Sequence, residues 1–240
     1  MKHLTLFLII ILTMISCNSN SQGKLDLYNE VLQAPKQTIE SSGVMLKGGA
    51  LPLNKSYTPF VVESEVLLNF QGLDVSGYIE KGKPSGTNEV ILQISNTDSL
   101  VHMYILGVYQ TEKSEQLIQR IEEVIGKPAC TIYRSIEKRK EGDYAGKVWI
   151  DDATENAFFL ERKPNSIFYG QNVMEIVLYA TKKEHPFFFE YLATTPPFGL
   201  FGDFVKFKKR FDKPEDFSYT SFVEEKIAKG NEKYKNLTTY

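Results

Sequence analysis

Three histidines and two cysteines are the scarce chemical resources of this 240-residue chain. His102 lies inside SLVHMYILGVY with apolar residues on both sides, a setting that predicts a buried, hydrogen-bonded core histidine. His185 stands between Glu184 and Pro186, which predicts an exposed turn residue. No two histidines have metal-ligand spacing and HExxH does not occur, so no metal site is expected. Cys130 in ACTIYRSI shares a strand face with Ile132 and Ile136. A reactive thiol needs an electropositive, partly open setting, and only Arg134 is near in sequence. Cys130 therefore reads as a small core hydrophobe. Asp151, Asp152 and Glu155 in DDATE bring together hard oxygens that a calcium site or an acid–base pair would use. Their spacing matches no calcium loop, and a solvated hairpin turn is expected. GxSxG, the P-loop and GxGxxG do not occur, and the glycines of KGGA and KPSG are not followed by a helix that would make a phosphate cradle. These residues supply no catalytic constellation and imply no cofactor.

The chain's start carries a different kind of chemistry. Met1-Lys2-His3 precedes LTLFLIIILTMIS, about a dozen mostly apolar residues, too short for the roughly 20 that a comfortable transmembrane helix needs. The run ends Met14-Ile15-Ser16-Cys17. This resembles the lipobox of bacterial lipoproteins, with Met14 where leucine is usual, and the resemblance covers residues 1–17. It implies that residues 1–16 are a signal peptide, that Cys17 is diacylated on sulfur, and that the chain is cut before it and acylated on the new amino group. The membrane is then a partner through the N-terminal lipid, since several acyl chains make a lasting anchor. NSNSQGK after Cys17 suits a flexible tether over residues 17–24. Asn18 is not the aspartate that marks inner-membrane retention, and the first acid is Asp26. By the same resemblance the protein is lipid-anchored in the bacterial outer membrane, on its periplasmic face.

Removing residues 1–16 removes Lys2 and no acid, so 28 basic residues become 27 against 30 acidic ones, a net charge of −3. That balance argues against nucleic acid or an acidic membrane as the main partner. With Cys17 acylated, Cys130 has no partner for an intramolecular disulfide, and stability must come from packing.

The elements that must position these residues follow from periodicity. KLDLYNEVLQ suggests a short helix ending before Pro35, and SSG and KGGALP read as turns. EVLLNF and LDVSGYIE alternate around Gln71-Gly72 as a hairpin, with Leu73, Val75 and Ile79 inward. EVILQIS and SLVHMYILGVY follow as strands joined at Asn96-Thr97-Asp98, the second apolar on both faces. Leu117, Ile118, Ile121, Val124 and Ile125 then mark one face of a helix near 112–125, with Thr111 as cap and Gly126 as stop. ACTIYRSI, KVWI, NAFFLER and NVMEIVLYATKK resume the strands, the last with Ile176, Leu178 and Ala180 on one face. The fold class predicted is α+β, mainly antiparallel sheet with a few helices and a helical C-terminal segment. It forms one domain over residues 25–240, or two packed halves of about 25–126 and 127–240.

HPFFFEYLATTPPFGLFGDFVKFKKRF holds eight of the sixteen phenylalanines. On a helical wheel Phe198, Phe201, Phe204, Phe207 and Phe211 share one half, against Asp203, Lys206, Lys209 and Arg210 on the other. Two readings stand: a core helix packed on a sheet, or a partner-binding or membrane-contacting surface that Pro196-Pro197 lets project. After Pro214, SYTSFVEEKIAKG predicts a helix with a Ser221–Glu224 capping box. The function expected is a lipid-anchored envelope protein that binds or scaffolds another macromolecule without catalysis, the phenylalanines marking the surface for an envelope protein partner. An immunity or inhibitor lipoprotein shares the same address. An envelope hydrolase would instead require a cleft bringing His102 or His185 near a carboxylate.

Overall fold

The computed structural model describes residues 25–49, 52–62, 67–80, 86–214, 216–231 and 234. The signal segment with Cys17, the tether, part of EVLLNF and the end of the chain lie outside them. Among the described residues no helix is long and apolar enough to cross a membrane.

Eight strands form one antiparallel sheet in the order β1-β2-β5-β6-β10-β9-β8-β7. They are β1 (Leu46–Gly48), β2 (Tyr57–Val62), β5 (Glu89–Ser95), β6 (Val101–Val108), β7 (Cys130–Tyr133), β8 (Tyr144–Asp151), β9 (Asn156–Phe168) and β10 (Gln171–Lys182). A two-stranded hairpin, β3 (Asn69–Phe70) and β4 (Leu73–Asp74), stands apart from it. The α+β class is thus observed. The strands before and after residue 126 meet at the centre, where β6 and β10 pair through Val108↔Ile176 to Met103↔Thr181.

Alternation along the central strands gives the sheet two apolar faces. Tyr104, Leu106, Phe158, Leu160, Ile176, Leu178 and Ala180 are wholly buried on one face. The N-terminal segment, α1 (Lys36–Ser41), the β3–β4 hairpin and α2 (Thr111–Ile125) cover that face. Leu117 and Ile121, one turn apart, are fully buried, and Gly126 at φ +95° ends the helix where a side chain would be strained. Met103, Cys130, Val148, Ala157 and Phe159 face the other way, under α4 (Phe188–Thr194), α5 (Gly199–Arg210) and α6 (Tyr219–Ala228). A short α3 (Ile136–Lys140), capped by Ser135, follows β7.

Several expectations require correction. Residues 25–33 form a bridge and turns rather than a helix, with Leu27, Tyr28, Val31 and Leu32 all buried in the core. The helix comes after Pro35 instead. LKG and YTPFVV, passed over as strands, are β1 and β2. Pro59 disguised β2, since a residue without an N–H reads as a strand breaker. ACTIYRSI divides at Ser135. The helix expected after Pro214 begins at Tyr219, its N-cap being Ser218, whose hydroxyl accepts from Ser221 N–H at 3.1 Å.

The phenylalanine surface requires the largest correction. Phe198, Phe201, Phe204 and Phe207 are all at least nine-tenths buried, and only Phe211 stands out, at 55% exposed. The segment does not project, because α5 packs tightly on α4. A Cβ on Gly202 would fall 2.2 Å from the Ala193 carbonyl oxygen, so glycine at 202 permits this crossing. The core reading of the segment is the one observed.

Candidate functional site

Both histidines come to the end of the sheet where the β5–β6 turn and the β10–α4 connection meet. Asp98 lies in that turn, and its carboxylate accepts the Leu100 N–H at 3.0 Å. His102 is the second residue of β6, four positions on, which places its Nε2 3.0 Å from Asp98 Oδ2. Its Nδ1 is 2.8 Å from His185 Nε2. His185 Nδ1 in turn accepts from the backbone N–H groups of Phe187 and Phe188, at 3.2 and 3.0 Å, at the start of α4. Tyr57, the first residue of β2, places its hydroxyl 3.3 Å from His185 Nε2 and its ring 4.5 Å from that of Phe188.

These contacts fix the tautomers. Backbone N–H groups only donate, so His185 Nδ1 is a bare acceptor and the proton of the neutral ring is on Nε2. That proton is donated to His102 Nδ1, and His102 donates its own Nε2–H to Asp98. The chain runs in one direction, from the first turn of α4 to the carboxylate. Burial pushes the His185 pKa down to about 4, with the neighbouring His102 ring adding to the shift and Asp98 opposing it. The Leu100 N–H holds the Asp98 carboxyl below its usual range, helped by Ser95 and His102.

The expectations for the two histidines are therefore exchanged. His185, read as an exposed turn residue, is buried, and His102, read as buried in the core, is half-buried and lines an open cleft of about 410 Å³ with Gln33, Tyr57, Glu155, Lys182 and His185. No signal in the sequence joins them, since they lie 83 positions apart. Asp98 and Tyr57 were missed altogether, Tyr57 because its strand was hidden by Pro59.

A histidine beside a carboxylate is what general-base chemistry requires, but every ring nitrogen here is already engaged. Among the described residues, no serine or cysteine lines the cleft to act as nucleophile. The arrangement holds protons in place. Among the described residues no group of three or more metal-ligating side chains could hold an ion.

A second and larger cleft, about 850 Å³, adjoins the first, the two sharing Lys183 and Glu184 in their walls. Phe189 of α4, Phe201 and Phe204 of α5 and Phe217 before α6 supply its apolar surface, and Lys208 and Asp216 stand at its polar side. Phe201 and Phe204, expected on a partner surface, thus belong to the core and line the cleft while almost wholly buried. Phe198, Phe207 and Phe211 do not line it. Cys130 lies beneath Tyr219, 2% exposed, with its thiol pKa pushed far up by burial. Of the DDATE carboxylates, Asp151 is buried and accepts the hydroxyls of Tyr28 and Thr154, tying the N-terminal segment to the β8–β9 turn. Asp152 pairs with Lys183 at 2.9 Å. They organise a turn and gather no cation site.

The fold and clefts define an α+β protein with an antiparallel sheet between two layers of helix. No protein family, curated protein or solved structure matches the chain.

Proposed function

We propose that this is a lipid-anchored binding protein of a bacterial envelope, acting without catalysis, which receives apolar side chains of a protein partner in the aromatic cleft between α4, α5 and the start of α6. The observation that carries this reading is the cleft itself. It is 850 Å³ of space with a phenylalanine floor and a rim of mixed charge. An apolar centre inside a polar rim is the anatomy of a protein interface. Aromatic floors favour inserted aromatic or aliphatic groups through edge-to-face and dispersion contacts. The lipobox resemblance of residues 1–17 supports the address. The closed hydrogen-bond chain through both histidines favours binding over hydrolysis.

The test places a photo-crosslinking amino acid at Phe217 in the full-length chain, in a bacterial envelope. One discrete adduct is expected, and it should be lost when Val205, a half-buried residue of the cleft wall, is changed to arginine. Circular dichroism and thermal unfolding must first show that Val205→Arg folds. No adduct, or an adduct indifferent to Val205→Arg, would overturn the reading.

A further inference from the structure

The opposite end of the sheet carries most of the exposed large hydrophobic residues. Val62, Glu89, Val108, Tyr144 and Phe168 mark the strand ends there, by the pairings Leu46↔Val62, Glu89↔Gly107, Val108↔Ile176 and Gly146↔Glu161. β8 leaves β9 at Glu161 and β6 leaves β10 at Ile176. Beyond those points β9 and β10 pair only with each other, through Gln171↔Phe168, Asn172↔Ile167 and Val173↔Ser166. The result is a hairpin arm longer than its neighbours. Its two-residue turn has Tyr169 at φ +50° and Gly170 at φ +78°, the hairpin geometry that follows the strand twist.

The arm is unusual in charge. Pro164 to Met174 contains no charged residue, in a chain that is 24% charged. Ile167 is 75% exposed and Tyr169 42%. Met45, just before β1, and Tyr78, bridged to Thr87 just before β5, stand exposed at the same end. Four of the five exposed large hydrophobics among the described residues lie there, so the patch is a feature of one end and not scatter.

The N-terminal segment enters from that end. Asp26 bridges Asn69 in parallel, and Leu27 N–H donates to the Asn69 carbonyl. Residues 25–27 therefore run in the direction of 68–70. Leu68 is bonded to Val75, and the Val75 carbonyl accepts from Asn88, beside the start of β5. Further on, the Tyr28 hydroxyl reaches Asp151 at the far end of β8. From Cys17 to Leu25 the chain can span at most about 29 Å. An acylated Cys17 would hold the domain that close to a bilayer and draw this end toward it.

We infer that the β9–β10 arm, with Met45 and Tyr78, rests on the lipid bilayer in which the chain is anchored. The inference rests on the lipid-anchor reading and adds an orientation to it. Aliphatic residues beside tyrosine suit the boundary between headgroups and acyl chains, and the absence of charge spares the arm the largest desolvation penalty, leaving the amides of Asn165, Gln171 and Asn172 for the headgroup layer. Both clefts then face away from the membrane.

The test uses the full-length chain with Ile167→Trp, expressed in a bacterial envelope and reconstituted into vesicles with brominated acyl chains. Trp149, the sole native tryptophan, is wholly buried and gives a constant background. A Glu184→Trp chain reports the opposite end. Quenching of about twofold or more at position 167, with none at 184, is expected. Mass analysis of the N-terminal peptide tests the anchor separately. Acylated Cys17 without quenching at 167 overturns the orientation and leaves the anchor standing. Quenching without acylation supports the orientation and rejects the anchor, and neither signal rejects both. Emission at 167 that shifts with protein concentration but ignores bromine assigns the patch to a second copy of the chain, which also overturns the proposal.

Discussion

His185 is a neutral histidine held by two backbone donors on one nitrogen and an acceptor ring on the other. A proton added at Nδ1 would face two N–H groups, and the ring has nowhere else to place it. Above about pH 6.5 the ring is neutral in both folded and unfolded chains, so its contribution to stability is complete. Between 6.5 and the folded value of about 4, the unfolded chain takes up a proton that the folded chain refuses. Stability is therefore lost as pH falls through that window, by roughly 2 kcal/mol at pH 5. Denaturant unfolding at pH 7.5 and pH 5 should show the loss, and His185→Gln should remove most of the pH dependence. Cys130 gives a second expectation at this scale. Its burial and raised pKa predict that a thiol reagent modifies it only after unfolding, and modification of the native chain at neutral pH would contradict that.

At the scale of elements, the α4–α5 crossing depends on one missing side chain. Gly202→Ala places a carbon on the Ala193 carbonyl and must separate the helices, at a net cost of about 1–3 kcal/mol despite the better helix propensity of alanine. An exposed mid-helix glycine would give the opposite sign, so the melting temperature decides between them. The phenylalanines of α5 differ in the same way. Phe204→Ala should cost about 3–5 kcal/mol because Phe204 packs on Phe201, Tyr219 and Phe222. Phe211→Ala, at a mostly exposed ring, should change stability by no more than about 0.5 kcal/mol. Equal effects would show that the helix is not seated as described.

For the whole molecule, the clefts and the uncharged arm lie at opposite ends of one sheet. If the arm lies on the bilayer, the aromatic cleft is presented to partners, and the two proposals become one arrangement. Replacing Cys17 with serine should then release the protein from the membrane fraction while leaving its unfolding curve unchanged, since every described element begins after it. Retention on the membrane would place the anchor elsewhere.

How much of this could be read in the chain depended on distance along it. Local periodicity was enough for α2, where Leu117 and Ile121 recur at one turn and Gly126 supplies a positive φ. It was enough for β10, where Ile176, Leu178 and Ala180 alternate into one core. Those patterns determined the α+β class, because period two and period 3.6 place side chains on one face without reference to the rest of the chain. The site was not legible in that way. His102 and His185 meet because β6 and β10 are neighbours at the centre of the sheet, a pairing made only when residues 101–108 and 171–182 come together. The fate of the phenylalanines was settled the same way. A wheel shows that they share a side, but only the seating of α5 against α4 and the sheet decides whether that side meets solvent or core.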